Sequence, residues 1–91
     1  MKITIVQQPP IYLDLEKSMA RAIELVQESA AMDCGMVVFP EAWLPGYPTF
    51  VWRLPPGAGM GKTDELYALS QSNSVDLAKN GLGPLQEAAR T

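Results

Sequence analysis

Residues 2 to 7 (Lys-Ile-Thr-Ile-Val-Gln) alternate and carry the β-branched run Ile3-Thr4-Ile5-Val6, a pattern that predicts a first strand. The period then changes. Asp14 is suited to an N-cap, and Glu16 falls in the first turn, where the positive end of the helix dipole favours a carboxylate. From there Leu15, Met19, Ala22, Ile23, Val26 and Ala30 recur at helical spacing and form one apolar stripe, expected to face a core rather than a partner. Lys17, Arg21, Glu24 and Glu28 lie largely away from it, as a solvated face. Asp33-Cys34-Gly35 reads as the turn out of the helix, with Gly35 free to take positive φ. Residues 36–40 predict a second strand, ended by Pro40, which has no N–H for a further rung. Strand, helix and strand make a βαβ unit, so the strands should be parallel with a right-handed crossover.

Beyond the second strand, residues 41–62 predict a long connection containing Trp43, Tyr47, Phe50 and Trp52. Connections of that length are usually functional in compact domains. Thr63 is expected to cap a helix over 64–72, and Pro84 to open a helix from 84 onward. That last helix is barely two turns long at Thr91, where natural domains rarely stop.

Composition narrows the possibilities. With 91 residues, 47% hydrophobic and 19% charged, the chain is expected to fold, as at most one small domain. A net charge of −3 argues against nucleic acid, whose phosphates need clustered Lys and Arg. No apolar run approaches the roughly 20 residues of a membrane span, and the N-terminus lacks the pattern of a signal peptide. One cysteine and no histidine leave no disulfide framework and no Cys–His pair, which fits a reducing cytoplasm. No spacing of His, Cys, Asp or Glu suggests a metal site, and no cofactor is implied.

Three features invite a chemical reading. The first is Glu41, delivered to the carboxyl end of the second strand, where open α/β sheets place their ligands. Beside apolar walls such a carboxylate suits a general base. The same spacing also fits a solvated loop glutamate or a cap for the following turn. The second is Cys34. It stands at the start of that strand and Glu41 at its end, about 20 Å apart at roughly 3.3 Å per residue, too far for a nucleophile and its base. A small half-buried thiol is the expected state. The third is Gly57-Ala58-Gly59-Met60-Gly61-Lys62-Thr63, which has the end of a phosphate loop but not its spacing. Five residues before Gly61 stands Pro56, with no N–H to offer a phosphate, and no buried strand feeds the loop.

The segment Phe39-Pro40-Glu41-Ala42-Trp43-Leu44-Pro45-Gly46-Tyr47-Pro48 resembles the glutamate segment of the nitrilase family of carbon–nitrogen hydrolases. Met1 to Pro10 looks like that family's opening strand, and Leu13-Asp14-Leu15-Glu16 like the start of its first helix. Val51-Trp52-Arg53-Leu54 and Leu85-Gln86-Glu87-Ala88-Ala89-Arg90 also look like true nitrilases rather than more distant amidase branches. The resemblance covers nearly all 91 residues.

It implies an α/β fold in which residues 1–91 are the amino-terminal part of a single carbon–nitrogen hydrolase domain, the first βαβ portion of an α-β-β-α four-layer sandwich. It implies hydrolysis of a nitrile or amide by a Glu–Lys–Cys triad, in which Glu41 takes the proton of the thiol and later that of the water. The lysine and cysteine of the family lie further along than this sequence reaches, so residues 1–91 alone are expected to be inactive. Tyr47 suits a pocket wall for a small nitrile or amide, or equally a packing role; the tryptophans suit packing. A homo-oligomer is implied for the full-length protein. An alternative function, of another class, is a non-catalytic product that binds a full-length homologue through its exposed faces. Phosphate binding is a third and disfavoured reading.

Overall fold

The computed structural model describes residues 1–47 and 60–90. Its elements are β1 (Ile3–Ile5), α1 (Leu15–Ala31), β2 (Met36–Val38), α2 (Met60–Ser72), a 3-10 turn (Leu77–Lys79) and α3 (Gly83–Ala89). The two strands pair in parallel, with Ile3 opposite Met36, Thr4 opposite Val37 and Ile5 opposite Val38. This is the expected strand–helix–strand unit with shorter strands than 2–7 and 36–40. Pairing persists one residue past β1, where the Val6 N–H donates to the Val38 carbonyl at 2.9 Å. Pro40 then has no N–H to carry the ladder on.

Asp14 caps α1 as expected, its carboxylate accepting the Lys17 N–H at 3.1 Å. The buried face of the helix is not the expected stripe. Ser18, Ala22, Leu25 and Ser29 form its buried row, Leu15, Met19, Ile23 and Val26 are half-buried, and Ala30 is exposed. The row still follows helical spacing, but its two serines are polar, and no count of apolar positions would include them. Each satisfies its hydroxyl locally: Ser18 with the backbone of Ile11, Ser29 with the Leu25 carbonyl at 2.9 Å. Small hydroxyl side chains let the neighbouring chain approach α1 closely without an unpaired polar atom.

The helix exit also differs from expectation. Asp33, not Gly35, takes the left-handed conformation, at φ 61°. The Asp33 N–H bonds the Ala30 carbonyl at 3.0 Å and the Cys34 N–H bonds the Ser29 carbonyl at 3.0 Å. This pair of bonds is the Schellman arrangement, which places the positive φ on the residue just past the cap. Gly35 answers a different constraint: a Cβ there would stand 2.8 Å from the Met1 sulfur.

Helix α2 begins at Met60, so Thr63 lies within it rather than capping it. First-turn N–H groups have no intrahelical partner, so a helix can start before its best capping residue. Pro84 is the second residue of α3, still among the positions whose N–H would be unpaired. Phe50, Trp52 and Gly57 to Gly59 lie outside the described residues.

The core comprises Val6, Ala22, Leu25 and Trp43, with Val37, Phe39, Leu44 and Leu85 packed on it. It lies where β1, β2 and the 39–44 segment face α1, and α3 lies against α1. Among the described residues no element covers the other face of the sheet. Ile3, Ile5, Met36 and Val38 are between 43% and 68% exposed.

Candidate functional site

The carboxyl end of β2 leads into the turn that carries Glu41. After Val38 the chain passes through Phe39 and Pro40, then turns over residues 41–45. Glu41 opens that turn and is exposed. Its carboxylate has no hydrogen bond or ion pair among the described residues.

What holds this turn is tertiary. Trp43 is 6% exposed, and its indole Nε1–H donates to the Gln8 carbonyl at 2.8 Å. Its ring stands 5.1 Å from that of Phe39, tilted by 58°, a favourable aromatic pairing. The Gly46 N–H closes the turn onto the Trp43 carbonyl at 3.1 Å, and the Leu13 N–H donates to the Pro45 carbonyl at 3.1 Å. Gly46 is buried with φ 87°, and a Cβ on it would collide with the Tyr12 ring. Two departures from ordinary backbone flank the site, Leu13 at φ 54° and Ala42 at φ 54°. A left-handed residue directly after Glu41 lets the chain reverse there, and surrounding structure must enforce it.

Beside the turn lies an apolar cleft of about 320 Å³, walled by Phe39, Pro40, Ala42, Trp43 and Leu44, with Ala22 at its base. The neighbours of Glu41 on both sides line it; Glu41 itself does not. Tyr47 is half-exposed at the end of the turn and is not a wall of this cleft.

Cys34 lies at the other end of β2, half-buried, its sulfur accepting from the Thr4 hydroxyl at 3.1 Å. The strand therefore separates it from Glu41. Among the described residues no three His, Cys, Asp or Glu side chains gather as a metal site, and no helix is long and apolar enough to cross a membrane. Sequence reasoning singled out Glu41 but missed Gln8 and Leu13 as supports of the turn that follows it. Neither carries a signal, since each acts through its backbone.

Comparison with known proteins follows the same residues. The sequence profile of the carbon–nitrogen hydrolases matches residues 2–91. A nitrilase of Pseudomonas syringae pv. syringae is 40% identical over 60 residues, which cover 66% of this chain and 18% of that protein. An arylacetonitrilase of Aspergillus niger is 38% identical over 55 residues, 60% of this chain and 17% of its own length. An aliphatic nitrilase of Rhodococcus rhodochrous is 34% identical over 89 residues, 98% of this chain and 24% of its own. The chain thus spans about a fifth of the length of these relatives.

Proposed function

The chain belongs to the carbon–nitrogen hydrolase family, and on that premise we propose that it is the amino-terminal part of an enzyme that hydrolyses nitriles to a carboxylic acid and ammonia, with Glu41 as its general base. The observation that carries the proposal is the setting of Glu41: an unpaired, exposed carboxylate at the carboxyl end of a parallel strand, beside an apolar cleft. The relatives named nitrilase, arylacetonitrilase and aliphatic nitrilase support nitriles as the substrate class.

In this reading Glu41 acts twice. It first accepts the thiol proton of a cysteine carried outside residues 1–91, while sulfur bonds to the nitrile carbon and the nitrogen gains a proton to give a thioimidate. Having handed the thiol proton to that nitrogen, it accepts a proton from the water that adds to the same carbon; this proton and the remaining hydroxyl proton both pass to the nitrogen, which leaves as ammonia as the thioester carbonyl forms. A second water releases the acid from the thioester. A lysine outside these residues steadies the developing charge. The complete domain is the four-layer sandwich of the family, its oligomeric state is set largely by later residues, and residues 1–91 alone are inactive. Tyr47 is proposed as a wall of the substrate pocket in the complete domain.

The test uses the full-length polypeptide that carries residues 1–91, assayed for ammonia release from an arylacetonitrile and from an aliphatic nitrile. Glu41→Gln keeps the size of the side chain and removes its basicity. Turnover should fall by at least about 100-fold, in line with the loss of a general base, with an unchanged melting temperature. Near wild-type turnover in that variant would sink the assignment.

A further inference from the structure

The exposed carboxylate of Glu41 has no side-chain tie of its own among the described residues, so its position is set by the backbone on either side. On the amino-terminal side the fixed point is the last ladder bond, from the Val6 N–H to the Val38 carbonyl. Pro40 removes the donor that could extend the ladder toward Glu41. The next fixed point is Trp43, whose indole N–H reaches the carbonyl of Gln8, two residues beyond Val6 on the same exit from β1. A side-chain bond thus ties the two segments again two residues beyond the end of the backbone ladder. Glu41 and the left-handed Ala42 lie between these two anchors, both on one neighbouring segment. Burial of the indole, its contact with Phe39 and the Gly46 bond to its carbonyl hold the second anchor in place.

We infer that Trp43 is a positioning residue for Glu41: its N–H bond to the Gln8 carbonyl keeps the strained 41–42 backbone turned so that the carboxylate is presented at the end of β2. The inference rests on the proposed role of Glu41 as base. It assigns to Trp43 an effect on the reacting geometry that packing alone does not give. Packing needs the bicyclic ring, whereas positioning needs the N–H.

Those two needs can be separated in the full-length polypeptide. Benzothienylalanine at position 43 keeps the size and shape of the ring and replaces N–H by sulfur; Trp43→Phe removes the N–H together with part of the ring. With an arylacetonitrile as substrate, the isostere should lower kcat by about 10- to 100-fold, the cost expected when a catalytic group is displaced by up to about 1 Å. KM and the melting temperature should stay near wild type, because neither ring packing nor substrate binding has been removed. Trp43→Phe should match or exceed that loss. If the isostere keeps wild-type kcat, the positioning role is overturned, whether or not Trp43→Phe folds. If Glu41→Gln retains turnover, the general-base reading fails instead, so the two failures are distinguishable.

Discussion

Ser18 and Ser29 are both buried serines on one row of α1, yet they do different things. Ser18 accepts the Ile11 N–H at 3.0 Å and donates to the Ile11 carbonyl at 2.8 Å, binding the chain after β1 onto the helix. Ser29 donates only to Leu25, four residues back on its own helix, whose carbonyl already serves the helical ladder. Ser18→Ala should therefore cost about 1 kcal/mol, since it leaves the part-buried Ile11 N–H without its partner, while the Ile11 carbonyl keeps the Asp14 N–H at 3.2 Å. Ser29→Ala should lie within about 0.5 kcal/mol of wild type. Denaturant melts of the full-length variants check the ordering, and equal losses would contradict it. Gly46 is a second contrast within the glycines. At φ 87°, against the Tyr12 ring, it admits no side chain, so Gly46→Ala should lower the melting temperature and disturb the turn carrying Glu41. Gly35→Ala meets only the flexible Met1 side chain and should be mild. Single-residue chemistry was legible where it depends on residue type, as at Asp14 and Pro40. It was illegible where it depends on a distant backbone atom, as between Trp43 and Gln8.

Among the described residues β1, α1 and β2 were legible in order and type, because each rests on local signals: a β-branched run, a capped helical period, an apolar run ended by proline. The face that α1 buries was not, because hydroxyl residues can occupy the closest row when the neighbouring chain, as for Ser18, or the helix itself, as for Ser29, supplies a partner. The 3-10 turn at Leu77–Lys79 also escaped. It depends on the Asp76 carboxylate accepting the Ala78 N–H at 3.0 Å and on a left-handed Asn80, with no periodic pattern to announce either. The start of α1 shows how elements share work. Asp14 accepts the Lys17 N–H, while the Leu15 N–H donates to the Asn73 side chain, just beyond α2, at 3.0 Å. One cap is local and the other is tertiary. Asp14→Ala should cost about 1 kcal/mol, the usual loss for an N-cap. Asn73→Ala should cost a similar amount while also loosening α2, whose end Asn73 caps through the Leu69 carbonyl at 2.9 Å. Hydrogen exchange separates the two, with faster exchange across α2 in Asn73→Ala alone.

At the scale of the molecule, the described sheet has two strands and a helix on one face only. Sheets generally need three or more strands, or cover on their apolar face, to be stable alone. The radius of gyration is 15.4 Å, against about 12 Å for a compact domain of this length. The accessible surface is 6481 Å², against about 5200 Å² for a compact protein of this mass. Ile3, Ile5, Met36 and Val38 contribute apolar side chains to that surface. Local hydrogen bonds do not compensate, because the ion pairs of Arg21 and Arg90 sit on exposed helix surface, where such pairs contribute little. Residues 1–91 expressed alone should therefore keep helical far-UV circular dichroism while losing fixed aromatic packing. They should bind a hydrophobic dye strongly and show a weak near-UV spectrum with no cooperative melt, the signature of secondary structure without specific packing. The charged pair Ile5→Lys and Val38→Glu should reduce dye binding, because both side chains lie on the bare face and neither joins the core. A sharp near-UV spectrum with a cooperative melt would mean that the core around Trp43 suffices by itself, and the bare face would then need no cover for the fold to form.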